Sequence, residues 1–173
     1  MLGPVSVDAD YDGYRSAPLP IAVLGNAVCH VVVRGFDGDE RVEEFDAAIA
    51  TFLRLDESVL TAAAQPVFEY YLDTKALFGP DEEIVEIASA GEVWQHVRPG
   101  PDVLVEREDY GDDRQVYVSV ECECEWEPEH GLQIVFRGGR EVTKVGPYDG
   151  HLTNAAAFDS VELVGVVYRR IAE

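Results

Sequence analysis

Lysine is nearly missing from this chain. Lys75 and Lys144 are its two lysines, and together with eleven arginines they face 34 acidic residues in a length of 173. The formal net charge is −21 at neutral pH. That balance disfavours nucleic acid and anionic membranes as partners, because both are polyanions. Long apolar runs are missing as well, none approaching the ~20 residues that cross a bilayer. The N-terminus, Met1 to Tyr14, is acidic and interrupted by Gly and Pro, whereas a secretory leader is basic and then apolar. A cytoplasmic location is expected. Cysteine is scarce and odd in number, at Cys29, Cys122 and Cys124, which argues against a disulfide framework. Cys122 and Cys124 stand two apart on one strand and project in parallel, so they cannot bond each other. Buried, reduced thiols are expected. The chain also has no Gly-rich phosphate loop, no Ser elbow and no H-E-x-x-H helix, and no cofactor is implied.

What is present suits one domain of ordinary size. A chain of this length buries roughly 70% of its unfolded surface and needs no disulfide or metal to hold a core. Residues 1–130 carry 29 acids and 8 bases, whereas residues 131–173 carry 5 of each. The negative excess therefore lies on the first three quarters of the chain. It serves solubility, and it would steer a basic protein toward that surface.

Residues 1–18 read as a loosely held arm with at most a short strand, and residues 19–173 as one domain. Ile21–Leu24 and Ala27–Arg34 are Val/Ile-rich runs across Gly25-Asn26, a hairpin signal. Gly35–Glu40 is a turn. Val42, Phe45, Ile49, Phe52 and Leu53 recur at helical spacing, and Glu43, Glu44 and Asp46 in the first turn complement the helix dipole. Leu60, Ala63, Val67, Tyr70, Tyr71 and Phe78 predict a second helix. Pro66 inside that stripe implies a kink or a restart, and Gly79-Pro80 a stop. Ile84–Ile87 is a strand or a docked extension. Ser89 and Glu92 form a capping box for a helix through Val93, Trp94 and Val97, which breaks at Pro99-Gly100-Pro101.

Alternation then replaces helical spacing. Val103, Val105 and Arg107 oppose Leu104, Glu106 and Glu108. Val116, Val118, Val120, Cys122, Cys124 and Trp126 share one side of a long strand. Tyr117, Ser119, Glu121, Glu123 and Glu125 share the other, expected to be wet. Leu132–Phe136 and Glu141–Val145 form a hairpin across Gly138-Gly139, and Val161–Tyr168 is a final strand candidate. The fold class that follows is α+β: a mostly antiparallel sheet with a C-terminal meander, and a helical pair from residues 42–79 packed on one face.

The densest chemistry lies in Cys122–His130. Zinc on Cys122, Cys124 and His130 is disfavoured, because structural zinc draws on knuckles in turns whereas a C-x-C in a strand spreads its thiols. Glu121, Glu123 and Glu125 read as a solvated face, since calcium needs oxygens wrapped around a turn. Glu129 and His130 are expected to satisfy backbone groups of their turn, with Gly131 allowing the return into Leu132.

The run Trp126-Glu127-Pro128-Glu129-His130-Gly131-Leu132, followed by Gly138-Gly139 and Tyr148-Asp149-Gly150-His151, resembles a family of uncharacterised bacterial domains. In that family a W-x-x-E-H-G turn joins two strands and a D-G pair follows. The helix with Trp94 before Pro99 is similar too, and the resemblance covers residues 20–158. Some of its relatives resemble immunity proteins of toxin systems, which implies binding rather than catalysis. The functional expectation is an acidic protein-binding module, immunity-like, that blocks a basic protein partner. Its candidate binding residues are Trp126, Glu129, His130, Asp149 and His151, with no catalytic residue and no metal assigned. The alternative is a small hydrolase or metal-dependent enzyme using Glu129, His130, Asp149 and His151. Convergence of those four side chains in one cleft would favour it.

Overall fold

The computed structural model describes residues 2–79, 83–111 and 114–170. Eight strands form one sheet: β1 (Val5–Asp8), β2 (Gly13–Ser16), β3 (Leu19–Ile21), β4 (Ala27–Arg34), β5 (Val97–Arg107), β6 (Val116–Cys124), β7 (Leu132–Arg137) and β8 (Glu141–Gly146). Their order is β1-β2-β4-β5-β6-β7-β8, with β3 paired to β4. Strands β5 to β8 follow one another as an antiparallel meander, as expected. The β4–β5 pair is parallel, with Val31 opposite Val103 and Val33 opposite Val105. Between those two strands the chain forms α1 (Glu43–Phe52) and α2 (Ser58–Leu77), the long crossover that a parallel pair requires.

Both helices pack on one face of the sheet. Helix α1 turns Phe45, Ala48, Ile49 and Phe52 inward, the spacing that its sequence carries. Helix α2 runs as one helix through Pro66 and buries Val67, Tyr70 and Tyr71. Proline removes one intrahelical donor there, the one that would bond the carbonyl of Ala62, an exposed residue. Phe78 is already extended, so the helix stops at Leu77, two residues before Gly79, and Pro80 lies outside the described residues. Beneath the helices Val31, Val33, Val103, Val105, Val118, Val120, Cys122 and Cys124 line the core, which fixes the register of β6 as its alternation predicts.

Several local expectations are corrected. The arm carries β1 and β2, an antiparallel hairpin that joins the sheet through β4. The run from Ile21 to Leu24 is half strand and half 3-10 turn, Ala22–Leu24, because buried apolar residues in a turn look like strand in sequence. Gly25 and Asn26 both take the left-handed conformation that the return demands. Segment 84–87 is a docked extension: the Tyr71 hydroxyl donates to Val85 O at 3.0 Å and accepts from Ile87 N at 3.2 Å. The helix expected after Ser89 is a 3-10 turn, Ala90–His96, and Val97 already belongs to β5. Ser89 and Glu92 do meet, side chain to side chain at 3.1 Å. Pro99-Gly100-Pro101 does not break the chain but sits in β5 where the register with β6 shifts, a place that tolerates proline. Residues 161–168 are not a strand: Val161–Leu163 is a 3-10 turn, and Gly165 follows with a left-handed φ of +80°. One bond from that segment reaches the sheet, Val145 N to Val167 O at 2.8 Å.

The outer face of the sheet is wet only in part. Tyr117 and Ser119, expected in water, are buried. Leu152 packs on Tyr117 and Val135, and α3 (Asn154–Ala157) follows it. Further along β6, Glu121 and Glu123 are exposed as expected. The covering segment thus divides the outer face into a buried part and an open, acidic part. Among the described residues no helix is long and apolar enough to cross a membrane.

Candidate functional site

Trp126 ends the buried side of β6 and is 1% exposed. Its ring packs edge-on against Tyr70 and Tyr71 at 6.0 and 6.1 Å. Expected among the binding residues, it is instead a core anchor, and burial denies it direct contact with a partner. The turn that follows is held by Glu127, not by its neighbours. The Glu127 Oε1 atom accepts from the backbone N–H groups of Glu129 at 3.1 Å and His130 at 3.3 Å. Gly131 N donates to Glu127 O at 2.9 Å. Gly131 takes φ +61°, and a Cβ there would stand 2.3 Å from Cys122 O, so the position requires glycine. Tyr70 anchors the same turn from α2 by donating to Gly131 O at 3.0 Å. The backbone role expected of Glu129 and His130 is therefore filled by Glu127, and both of their side chains are exposed.

Those side chains line a cavity of about 540 Å³ on the open part of the outer face. Five carboxylates border it: Asp102, Glu121, Glu123, Glu125 and Glu129. They meet because β5 and β6 pair antiparallel, placing Arg98 opposite Glu123 and bringing the end of β6 to the turn. Two of the five are committed. Asp102 is held by Arg15 and lies 3.4 Å from the Tyr11 hydroxyl, and Glu125 lies 2.8 Å from His96 Nδ1. Among the described residues the carboxylates of Glu121 and Glu123 make no hydrogen bond or ion pair. Arg98 is the cation of the cavity wall. The negative field registers on nearby tyrosines. Tyr11 is pushed above the usual tyrosine range by burial and then by Asp102. Tyr148 is raised by burial and then by Glu121. Tyr148 also joins the turn, its N–H donating to His130 O at 3.1 Å.

Asp149 and His151 stand elsewhere. Asp149 Oδ1 accepts from Lys144 Nζ at 2.5 Å and from His151 N at 2.8 Å. Lys144 is 1% exposed and also donates to Gln133 Oε1 at 2.7 Å and His151 O at 3.0 Å. Burial lowers its pKa, and Asp149 opposes that shift. This network pins the loop that covers the outer face. The His151 ring lines a second cavity, of about 600 Å³, beside Glu106 and Glu108. The four residues of the enzyme alternative thus lie on two turns rather than in one cleft.

Among the described residues the thiols of Cys122 and Cys124 are not grouped with His130. Cys122 and Cys124 face the helices, buried and reduced. Burial pushes both thiols up, Cys124 to about 12. Glu127, Glu129 and His130 have ligand atoms within 4.8 Å of one another, the one such group among the described residues. Glu127 is already engaged by two backbone donors, and the other two are solvated.

Sequence reasoning missed Tyr11, His96, Arg98 and Asp102 as parts of this cavity. The glutamate ladder of β6 was visible, but what faces it from β5 depends on a register that shifts at Pro99.

The fold and site define an α+β domain with an acidic groove on a half-covered sheet. The chain belongs to the family described as Domain of unknown function (DUF6985), whose family model matches residues 1–152. The match includes β1 and β2 and ends just before α3. No curated protein and no solved structure matches the chain.

Proposed function

We propose that the chain is a protein-binding module of the immunity type, whose acidic outer groove blocks a basic partner protein. The observation that carries this reading is the pair Glu121 and Glu123, two carboxylates that have no hydrogen-bond or ion-pair partner among the described residues, in a cavity bordered by three more. Leaving like charges side by side costs stability, and a basic side chain entering between them recovers that cost. The net charge of −21 extends the attraction beyond contact and speeds encounter. An immunity-type role requires no turnover, which agrees with the separation of Glu129 and His130 from Asp149 and His151. Cytoplasmic placement with a basic protein target belongs to the same proposal.

The test is capture from native cell extract at low salt. The baits are the wild-type protein and a Glu121→Gln/Glu123→Gln double variant. A basic protein held by the first, weakly by the second, and released by salt supports the reading. Equal capture by both baits removes it.

A second reading, a metal-dependent enzyme, has one observation in its favour, the grouping of Glu127, Glu129 and His130. Calorimetric titration with zinc and manganese separates the two readings. Micromolar binding lost in His130→Ala would favour the enzyme.

A further inference from the structure

The helix-side face of the sheet has a second unfinished surface at the opposite end from β8. Strand β1 is an edge, paired to β2 alone, so among the described residues its outer row of N–H and C=O groups has no strand beside it. Natural edges are blunted by shortness, by charged side chains (lysine above all), by proline or by a bulge. β1 reads Val-Ser-Val-Asp: it is short and ends on the charged Asp8, but it has no lysine, proline or bulge within the strand. Val5 lies opposite Ser16 and Val7 opposite Tyr14, and Tyr14 in turn faces Val33, so both valines share the helix-side face. The helix layer stops short of them. Val5 is 50% exposed and Val7 78%. Between β1 and α1 lies a cavity of about 590 Å³ walled by Leu2, Val5, Tyr14, Phe36, Ile49 and Ala50.

The surroundings state the sign of what fits there. Residues 2–50 hold nine acids and three bases. All three bases are spent internally: Arg15 on Asp8 and Asp102, Arg34 on Glu106, and Arg41 on Glu44. Asp46 borders the cavity itself. A second copy of this chain would bring −21 against −21, so the surface selects a different, cationic molecule.

We infer that β1 is a docking edge for an extended basic segment of a partner protein. The segment adds a strand to the sheet, sets alternate apolar side chains into the cavity beside Val5 and turns its basic ones toward the flanking acids. Backbone hydrogen bonds give the affinity and the alternation gives the register, as in strand addition generally. The groove at Glu121 lies on the other face of the sheet, and this inference does not rest on it.

The experiment uses the full chain and two synthetic ten-residue peptides. One alternates valine and arginine. The other has the same charge, with proline replacing every second valine, and cannot ladder. Fluorescence anisotropy gives both affinities, and amide exchange reads protection across residues 5–8. The expected result is binding of the alternating peptide at least about tenfold tighter than the proline peptide. Protection of β1 amides should accompany it. Val7→Lys, at an exposed position, should abolish that preference while the melting temperature stays unchanged. Double substitution Glu121→Gln/Glu123→Gln should leave the preference intact, which keeps the two surfaces distinguishable. Equal affinity for the two peptides, or an unchanged preference in Val7→Lys, overturns the inference. So does a dimer at high salt that Val7→Lys dissolves, because the occupant would then be a second copy.

Discussion

The Tyr168 hydroxyl donates to the carboxylate of Asp73 at 3.0 Å, and so ties the segment after α3 to the C-terminal turns of α2. Asp73 is 3% exposed, and Arg170 reaches it as well, its Nε at 3.0 Å. The Tyr168 ring lies 5.9 Å from that of Tyr70, which itself anchors the Gly131 turn. The segment beyond residue 152, outside the family match, therefore helps hold the site in place. Removing one donor from a buried carboxylate costs about 1–3 kcal/mol. Tyr168→Phe should lower the unfolding free energy by that much, read as a lower urea midpoint with the slope of the transition unchanged. An unchanged midpoint would show that the contact contributes nothing.

Val120 and Glu121 test the register of β6 as neighbours on opposite faces. Val120 is fully buried beneath the helices, whereas Glu121 stands in the groove. Val120→Asp should destabilise by several kcal/mol, on the order of 3–5, the range for an uncompensated buried charge. Glu121→Gln should stay within about 0.5 kcal/mol, as exposed substitutions do. Chemical denaturation of both variants checks this, and a mild Val120→Asp would contradict the register.

At the W-x-x-E-H-G turn the structural acid is Glu127. Its carboxylate accepts two backbone donors, so Glu127→Ala should lose roughly 1–2 kcal/mol. Glu129→Ala and His130→Ala, at exposed side chains, should lose less than about 0.5 kcal/mol. Thermal unfolding of the three variants decides between them. A drop on Glu129→Ala with none on Glu127→Ala would reverse the assignment.

Much of this was legible in the residues. Strict alternation from Val116 to Trp126 revealed β6 and its buried side, because a period of two has one structural meaning. The stripes of Phe45 to Phe52 and Val67 to Tyr71 revealed the helices for the same reason. The face opposite Val118 was not legible, since Tyr117 and Ser119 owe their burial to Leu152 and the Lys144 network far along the chain. Val161–Tyr168 looked like strand because apolar β-branched residues dominate it, yet Gly165 turns the chain before a ladder can form. The groove needed the β5–β6 register, which no local pattern carries across Pro99-Gly100-Pro101.

Asp39 links the fold to pH. Hydrogen bonding from Arg107 lowers its pKa below the ordinary carboxylate value, and partial burial only partly offsets this. A depressed carboxylate stabilises the folded state above its unfolded pKa of ~3.9, and that contribution is lost as pH falls through the folded value. Asp39→Asn should therefore be less stable than wild type at neutral pH, with the gap constant down to about pH 5 and closing below about pH 4. Urea midpoints measured across that range give the answer. A gap that persists unchanged to pH 2 would mean that the Arg107 contact does not carry the charge.

The groove itself is tested most directly by charge reversal at Glu121 and Glu123. The measurement is the dissociation constant of the captured basic partner for wild type and for Glu121→Lys/Glu123→Lys, at low and at moderate salt. Desolvated charge pairs at interfaces couple by several kcal/mol, so the double variant should bind at least about a hundredfold more weakly at low salt. Wild-type affinity should fall steeply as salt rises, and the variant should show a shallower slope, because two attractive charges have become repulsive. Equal affinity and equal salt dependence for the two proteins would contradict binding at this groove.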